Sequence, residues 1–299
     1  MKRIRIILLA VVAAVLTSCG TTSTVPVTGR KQTILVSDEQ VLSLSNKEYT
    51  EYMNSAKRSV NAQNTAMVQR VGQKLASAVE TYLKEHGLEK EVKNYSWEFN
   101  LVQDKSANAF CMPGGKIVVY EGLLPITQNE ASLAIVLGHE IAHAVAKHSA
   151  EQMSKQIKAQ YGQQILGGVL QAAGVSSGTT SVAQSVFGLG SKFRNLHYSR
   201  QNESEADYMG LVFAAMAGYD PQVAVSFWQR MAQGTQSSIP AFLSDHPSDA
   251  QRIADIKKWM PEALKYYKPA AAATAKVAAS ASASTAKKTT AKKTTKRRK

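Results

Sequence analysis

Two histidines and a glutamate, set in an apolar helix-like run, carry the clearest chemical signal in this chain of 299 residues. His139 and His143 are four residues apart, which on an α-helix places them about 40° apart around the axis and one turn apart along it. Both imidazoles can therefore reach one metal ion. Glu140 follows the first histidine and can remove a proton from a water molecule that the metal activates. The pattern predicts metal-assisted hydrolysis.

A catalytic zinc ion needs a third protein ligand and one open position. The best candidates lie about sixty residues downstream, where Glu203 and Asp207 are four residues apart and share a helix face. We predict that Glu203 is the third ligand. Asp207 is placed to accept the second ring N–H of a ligand histidine and so to fix its tautomer. Glu205 points elsewhere on this helix and is the alternative ligand.

Two further histidines need an interpretation. His148 is five residues beyond His143, on a different side of the same predicted helix, and we interpret it as structural. His246 precedes Pro247 and a predicted helix. From the residues alone, His246 is either a rigid corner or an active-site group that donates a hydrogen bond to the oxyanion or binds the metal.

The elements that position these residues follow from hydrophobic periodicity. Helical spacing extends from Ser37 to about Gly87, and β-type segments follow at 95–102 and 116–120. We expect the β segments to form a small antiparallel sheet. If the second is an exposed edge strand, it could bind an extended substrate through Ile117 and Val119.

The two motif-bearing helices are predicted to pack face to face. The first starts near Gln128 and runs past His148, and the second spans residues 199–217. Each carries a stripe of small residues beside its motif, namely Ala134, Gly138 and Ala142 on the first and Ala206, Gly210 and Ala214 on the second. Small residues let two helices approach closely enough to hold an ion between them.

The N-terminus has the pattern of a lipoprotein signal. Three basic residues precede an apolar stretch that is too short to span a bilayer as a stable helix, and the stretch ends at Leu16-Thr17-Ser18-Cys19. This tetrapeptide resembles a bacterial lipobox, in which the cysteine is lipidated. We expect a signal peptide at 1–18 and a lipid on Cys19, followed by an extended tether at 19–33.

The C-terminal segment 269–299 is rich in Lys, Ala, Ser and Thr and is expected to be disordered. The chain has a formal net charge of +14, but twelve positive charges lie in the first 18 residues and this tail, so the remainder is nearly neutral. The tail is either merely solvated or binds anionic lipid, lipopolysaccharide or cell-wall polymer. Nucleic acid is not expected as a partner of an exported protein.

With Cys19 used for lipid, Cys111 is unpaired and an internal disulfide is excluded. Cys111 is either an inert buried thiol or a redox-sensitive thiol near the active site.

Four motifs, in this order, resemble the M48 metallopeptidase family. They are Asn108 to Gly115 (Asn-Ala-Phe-x-x-Pro-Gly-Gly), His139 to His143, Ser199 to Asp207 (Ser-Arg-x-x-Glu-x-Glu-Ala-Asp), and His246-Pro247 with Arg252. The resemblance covers about residues 34–261. It is strongest to the compact, lipid-anchored periplasmic branch, because the chain lacks the transmembrane helices and helical-repeat extension of other branches.

The resemblance implies an α+β fold, namely a mainly helical zincin-like (gluzincin) domain at 34–268 with a small sheet beside the active-site helix. It implies one Zn²⁺ per chain bound by His139, His143 and Glu203, with Glu140 as base and Asp207 behind the ligands. In periplasmic relatives, a histidine at the position of His246 can act as a fourth ligand that closes the site.

The predicted function is zinc-dependent endopeptidase activity on unfolded or misassembled envelope proteins, at the periplasmic face of the outer membrane. The alternative is a catalytically silent, lipid-anchored chaperone or scaffold that retains the zinc site. A third hypothesis is a wall-polymer binding protein that acts through its tail. The intact Glu140 argues against a silent protein, because a scaffold needs no base at that position.

Overall fold

The computed structural model describes residues 21–168, 193, 196–233, 242, 246 and 251–268. The predicted signal peptide, Cys19 and the predicted tail lie outside these residues. Within the described part, no helix is both long enough and apolar enough to cross a membrane.

The described chain begins with a β-hairpin. Strand β1 (Thr21–Thr24) pairs antiparallel with β2 (Lys31–Ile34). Gln32 and Ile34 of β2 are buried while their neighbours are exposed, which is the alternation of a strand with one face on the protein. The predicted tether is therefore folded from residue 21 onward, because its threonines favour extended pairing over a free linker.

Three helices follow the hairpin: α1 (Asp38–Ser55), α2 (Ala62–Glu85) and the single turn α3 (Glu89–Val92). The N-terminus of α1 is fixed by a capping box between Ser37 and Gln40. Helix α2 buries one stripe at helical spacing in the main core, consisting of Val68, Val71, Leu75, Val79 and Leu83.

A three-stranded sheet consists of β3 (Glu98–Val102), β4 (Ala109–Met112) and β5 (Lys116–Tyr120), in the order β3-β5-β4. The two predicted strands, β3 and β5, pair parallel rather than antiparallel, and β5 pairs antiparallel with β4, which the sequence did not predict as a strand. Gly114 and Gly115, both with φ above +80°, turn β4 back onto β5. Because β4 intervenes, the chain reverses direction twice between β3 and β5, and these two strands therefore run parallel. Strand β5 is thus the central strand, and the prediction that it is a substrate-binding edge is wrong.

After a 3₁₀ turn (Glu121–Leu123) and the short α4 (Leu124–Thr127), helix α5 (Glu130–Val145) carries the first motif. Asn129 caps it by accepting from the Ser132 N–H. The prediction that this helix runs past His148 is wrong. Lys147 adopts a left-handed φ of +56°, so the chain turns, and a new helix α6 (His148–Gly168) begins.

The second motif lies on α7 (Arg200–Met216), which Ser199 caps, and the described chain ends with α8 (Val223–Gln233) and α9 (Gln251–Tyr266). Helices α5 and α7 meet at two glycines. A Cβ on Gly210 would lie 2.6 Å from the His139 backbone nitrogen, and one on Gly138 would lie 2.6 Å from the Gly210 carbonyl oxygen. The predicted close approach of small-residue stripes is confirmed, as is the mainly helical α+β fold.

Candidate metal centre

Four buried side chains from three separate parts of the chain converge beside α5. His139 and His143 come from α5, Glu203 from α7, and His246 from the segment before α9. One donor atom of each lies within 4.8 Å of the donor atoms of the other three. The structure therefore brings together the three predicted ligands and the histidine that the resemblance offers as a fourth.

The spacing of the donor atoms fits a tetrahedral ion. His139 Nε2 lies 3.0 Å from His143 Nε2, 3.2 Å from His246 Nδ1 and 3.4 Å from Glu203 Oε2. Glu203 Oε1 lies 3.5 Å from His143 Nε2 and 3.2 Å from His246 Nδ1. A tetrahedron with zinc–ligand bonds of about 2.0–2.1 Å has edges of about 3.3 Å. The residues fit a zinc ion by geometry as well as by type.

The outer side of His139 is held by a carboxylate. His139 Nδ1 lies 2.8 Å from Asp207 Oδ1, so Nδ1 donates and Nε2 carries the lone pair that faces the donor group. Arg252 Nε donates to Asp207 Oδ2 at 2.5 Å, and Arg252 Nη2 donates to Glu203 Oε2 at 3.2 Å. The structure thus places Asp207 beside a ligand histidine, as the sequence predicts. It also shows that Arg252, which the sequence offered only as part of a family motif, contacts both Asp207 and Glu203.

The outer side of His143 is held by a second histidine. His143 Nδ1 and His148 Nδ1 lie 2.9 Å apart, and His148 Nε2 lies 3.0 Å from Glu205 Oε2. Because a carboxylate faces Nε2 of the neutral His148, that nitrogen donates and His148 Nδ1 accepts from His143 Nδ1–H. The Nε2 atom of His143 is then left with its lone pair toward the metal group.

This contact was missed by sequence reasoning. His148 is not one of the four donors, in agreement with its interpretation as a non-ligand, but its ring directly contacts a predicted ligand. On a continuous helix the two rings would point in different directions, so only the left-handed Lys147 brings them together. Glu205, the alternative ligand, lies outside the donor group and faces His148.

The carboxylate of Glu140 is fixed at one oxygen only. Its Oε2 accepts from the Cys111 backbone N–H at 3.0 Å, whereas Oε1 is buried without a hydrogen-bond partner and lies 3.4 Å from His246 Nε2. Burial raises the pKa of Glu140. A buried acceptor with a raised pKa beside the donor group has the properties of a general base.

The electrostatics of the group favour a cation. Burial opposes a charge on His139, but Asp207 and Glu203 outweigh this effect and raise the pKa of its imidazole to about 9. Burial also disfavours ionised Glu203, yet the surrounding histidines hold its pKa well below the usual range. Both shifts have the same cause, because acidic side chains around His139 and basic rings around Glu203 stabilise positive charge at this position, and a divalent ion would supply such charge.

His143 remains neutral, because burial lowers its pKa well below the ordinary value. The ring of Tyr198 stacks on the ring of His143, with 4.1 Å between centroids, and its hydroxyl lies 2.9 Å from Ser149 Oγ. Tyr198 therefore supports the orientation of the His143 ring from one face.

His246 is supported by Phe242, whose ring stacks on it at 4.7 Å. The backbone N–H of Phe242 donates to the Ala107 carbonyl, just before edge strand β4, and the N–H of His246 donates to the Phe242 carbonyl. Both side chains are buried. The structure thus holds His246 rigidly against the donor group.

Cys111 lies beside this centre but is buried. Burial raises the pKa of its thiol well above the ordinary value. Of the two interpretations that the sequence leaves open, the structure supports the inert thiol.

Comparison with known proteins agrees with this site. The family model described as Peptidase family M48 matches residues 62–260, a stretch that contains all four donors and both motif-bearing helices. This chain belongs to peptidase family M48. The family predicted from the sequence motifs is thereby confirmed. A metallopeptidase enzyme class and zinc as the cofactor are confirmed as well, with one ion for the group of four donors found among the described residues. The roles of individual residues stay predictions.

Among M48 relatives, the chain is 31% identical over 252 residues to the mitochondrial metalloendopeptidase OMA1 of Saccharomyces cerevisiae, covering 81% of this chain and 70% of that protein. It is 40% identical over 176 residues to OMA1 of Schizosaccharomyces pombe, covering 58% and 49%. It is 32% identical over 172 residues to the beta-barrel assembly-enhancing protease of Yersinia pestis, covering 54% and 34%. The chain thus spans about half or less of the length of several relatives that it matches.

Proposed function

We propose that this chain is a zinc-dependent endopeptidase that hydrolyses peptide bonds of unfolded or misassembled proteins of the cell envelope. The observation that carries the proposal is the buried group of four metal-binding donors with Glu140 Oε1, which has no hydrogen-bond partner, beside it. The names of the relatives, a metalloendopeptidase and a beta-barrel assembly-enhancing protease, support peptide-bond hydrolysis and an envelope setting.

His139, His143 and Glu203 would hold the zinc ion. When bound there, zinc supplies Lewis-acid chemistry, which acidifies a water molecule and polarises the scissile carbonyl. Glu140 takes a proton from the attacking water at Oε1, since Oε2 is held by the Cys111 N–H. It then passes that proton to the leaving amine nitrogen as the C–N bond breaks, so water adds OH to the carbonyl carbon and H to the amine.

An extended substrate would bind along β4 rather than β5. Strand β4 is an edge of the sheet, and its Cys111 N–H contacts the proposed base. Pairing through backbone groups has little sequence preference and requires an extended chain, which favours unfolded proteins over folded ones.

A second candidate function is a catalytically silent chaperone or scaffold, and the position of His246 favours it. His246 Nδ1 lies 3.2 Å from both His139 Nε2 and Glu203 Oε1, so it can complete four protein ligands. A zinc site with four protein ligands is closed, which is typical of structural sites. In the enzyme, by contrast, the His246 side chain must leave the fourth position, because a catalytic zinc needs that position open.

The deciding experiment is cleavage of casein by the purified full-length protein and its Glu140→Gln variant, with zinc content measured in both. Glu140→Gln keeps the shape of the side chain and removes only the base. If the wild type cleaves and the variant retains zinc without cleaving, the peptidase is supported. If both carry one zinc per chain and neither cleaves, His246→Ala separates a closed enzyme, which gains activity, from a silent scaffold.

We also propose that a lipid on Cys19 holds the protein at the periplasmic face of the outer membrane. The lipobox supports the anchor, and Gly20 after the cysteine supports the outer membrane. The Lys-rich tail is proposed to bind anionic envelope polymers. Mass spectrometry of the mature N-terminal peptide should detect the lipid, and Cys19→Ser should abolish both the added mass and sedimentation with membranes. An unmodified Cys19 in the membrane fraction would contradict the anchor.

A further inference from the structure

The N-terminal hairpin reaches the outer surroundings of the metal centre, although it lies far from the motifs in sequence. Gln32 Nε2 donates to the Ala146 carbonyl at the C-terminal end of α5, at a distance of 2.8 Å. Arg30, directly before β2, extends toward the side chains behind His143. The hairpin is thus packed where α5 ends and α6 begins.

The guanidinium of Arg30 joins two carboxylates from different helices. Its Nε donates to Glu205 Oε2 of α7 at 2.7 Å. Its Nη1 and Nη2 donate to the two oxygens of Glu151 of α6, at 3.2 and 2.9 Å. The side chain of Arg30 is 17% exposed, whereas those of Glu205 and Glu151 are 6% and 7% exposed. Largely buried, forked ion pairs of this kind fix geometry more strongly than surface pairs do.

Glu205 connects Arg30 to the side chains that contact the predicted metal ligands. Its Oε2 accepts from both Arg30 Nε and His148 Nε2, and its Oε1 accepts from Thr28 Oγ1 at 2.5 Å. Two of these three donors come from the hairpin. From Glu205 the hydrogen bonds continue through His148 to His143 Nδ1, on the same ring as the Nε2 atom that faces the metal group.

We infer that Arg30 is a positioning residue for the metal centre. It holds Glu205 in place, Glu205 fixes the proton and orientation of His148, and His148 fixes the tautomer of His143. The inference rests on the metal site of the proposed function. It makes the hairpin, which lies outside the matched family region of 62–260, part of the machinery that keeps His143 ready to bind zinc.

The competing explanation is that Arg30 only fastens the hairpin to the domain. The two explanations differ in what a loss of Arg30 does to bound metal in protein that is still folded. If Arg30 only attaches the hairpin, its loss lowers the free energy of unfolding and leaves metal affinity unchanged. A positioning residue also weakens metal binding, and outer partners of histidine ligands contribute about ten-fold to 100-fold in metal affinity.

The test measures zinc affinity by competition with a chelator, together with the visible absorption of the cobalt-substituted protein, in the full-length chain. Arg30→Gln should weaken zinc binding about ten-fold and shift the cobalt spectrum. Arg30→Lys keeps the charge but cannot bridge both carboxylates with a planar fork, so it should restore part of the affinity. The matched control is Arg70→Gln, which removes an exposed ion pair with Glu130 at the other end of α5.

Wild-type zinc affinity and an unchanged cobalt spectrum in folded Arg30→Gln would overturn the inference. If that variant does not fold, Thr28→Val removes one hydrogen bond from Glu205 and should shift the cobalt spectrum in the same direction, by less. An unchanged spectrum in Thr28→Val would then overturn it. A wild-type protein that binds no zinc would instead refute the proposed function, so the two failures are distinguishable.

Discussion

The two histidines of α5 are held from behind by hydrogen-bond relays of different length. Behind His139, one carboxylate, Asp207, connects the ring directly to Arg252. Behind His143, a second histidine and a carboxylate stand between the ring and Arg30. Both relays leave the ligand Nε2 with its lone pair toward the metal group, and both end on a guanidinium. The same chemical requirement is met in two ways.

The difference between the relays lies in where their residues come from. The short relay runs from His139 through Asp207 to Arg252. Its two outer residues lie on α7 and α9, and all three fall within the family match at 62–260. The long relay runs from His143 through His148 and Glu205 to Arg30. Arg30 belongs to the N-terminal hairpin and lies outside that match. The short relay therefore lies wholly within the family match, whereas the long relay, in the role inferred for Arg30, also needs a residue outside it.

The largest effect is expected from Gly210→Ala, which acts on both relays at once. The new Cβ would lie 2.6 Å from the His139 nitrogen and 2.8 Å from the Gly138 carbonyl carbon, and these backbone atoms cannot rotate away. We expect a loss of about 3 kcal/mol in the free energy of unfolding, measured by urea denaturation. Ser204→Ala, on the same helix, is the control and should change it by less than about 0.5 kcal/mol. Equal stabilities would show that the helices can separate without cost.

Removal of the short relay is expected to have the next largest effect. Asp207→Ala leaves His139 Nδ1 and Arg252 Nε without their acceptor in a buried site, so zinc affinity should fall by about 100-fold. Chelator competition measures this loss, and Asp255→Ala on α9 is a carboxylate control outside the relay. If Asp207→Ala loses no more zinc affinity than Arg30→Gln does, the short relay contributes no more to metal binding than the long one, contrary to the prediction.

The long relay predicts a specific acid sensitivity. Burial opposes the ionisation of Glu151, but hydrogen bonds from Arg30, Lys155 and Asn202 outweigh it and lower the pKa of Glu151 to about 2. Because the folded-state pKa lies below the ordinary value of 4.5, this stabilisation is complete above about pH 4.5 and is lost as the pH falls toward 2.

Glu151→Gln should therefore be less stable than wild type at pH 6, by on the order of 2 kcal/mol, and the gap should narrow between pH 4.5 and 2. Urea denaturation at a series of pH values measures the gap. The idea fails if the gap is the same at pH 3 as at pH 6.

The smallest expected effect is the coupling between the relays. They contact different ligands through different residues, so the free-energy losses of Asp207→Ala and Arg30→Gln should add to within about 0.5 kcal/mol in the double variant. Zinc affinities of the two single variants and the double variant measure this coupling. A double variant that binds zinc as well as Asp207→Ala alone would mean that the relays act as one unit.

Local spacing made much of the site predictable. Helical periodicity places His139 beside His143 and Glu203 beside Asp207, whatever surrounds the helices. The small-residue stripes predicted the contact at Gly138 and Gly210. The four-motif resemblance then supplied the family, the fold class and zinc.

The remaining features depend on contacts between distant segments, which spacing does not encode. His148 was predicted to point away from His143 because the helix was expected to continue. The left-handed φ of Lys147 instead separates two helices and brings the two rings together. The pair of strands at 95–102 and 116–120 was predicted to be antiparallel because residues 109–112 were not recognised as a strand. With β4 between them the chain reverses twice, so β3 and β5 run parallel. Arg30 gave no signal, because an arginine in a Thr-rich segment is chemically unremarkable until its partners are known.

By itself, the sequence determined which reactive residues share a helix face. These are His139 and His143, with the base Glu140 beside them, on one helix and Glu203 and Asp207 on the other. Their geometry follows from 3.6 residues per turn and needs no partner. Only the tertiary structure decided which side chains stand behind the ligands and that His246 reaches the fourth position. Those contacts join residues up to 177 positions apart, as between Thr28 and Glu205, and exist only once the packed core has brought their segments together.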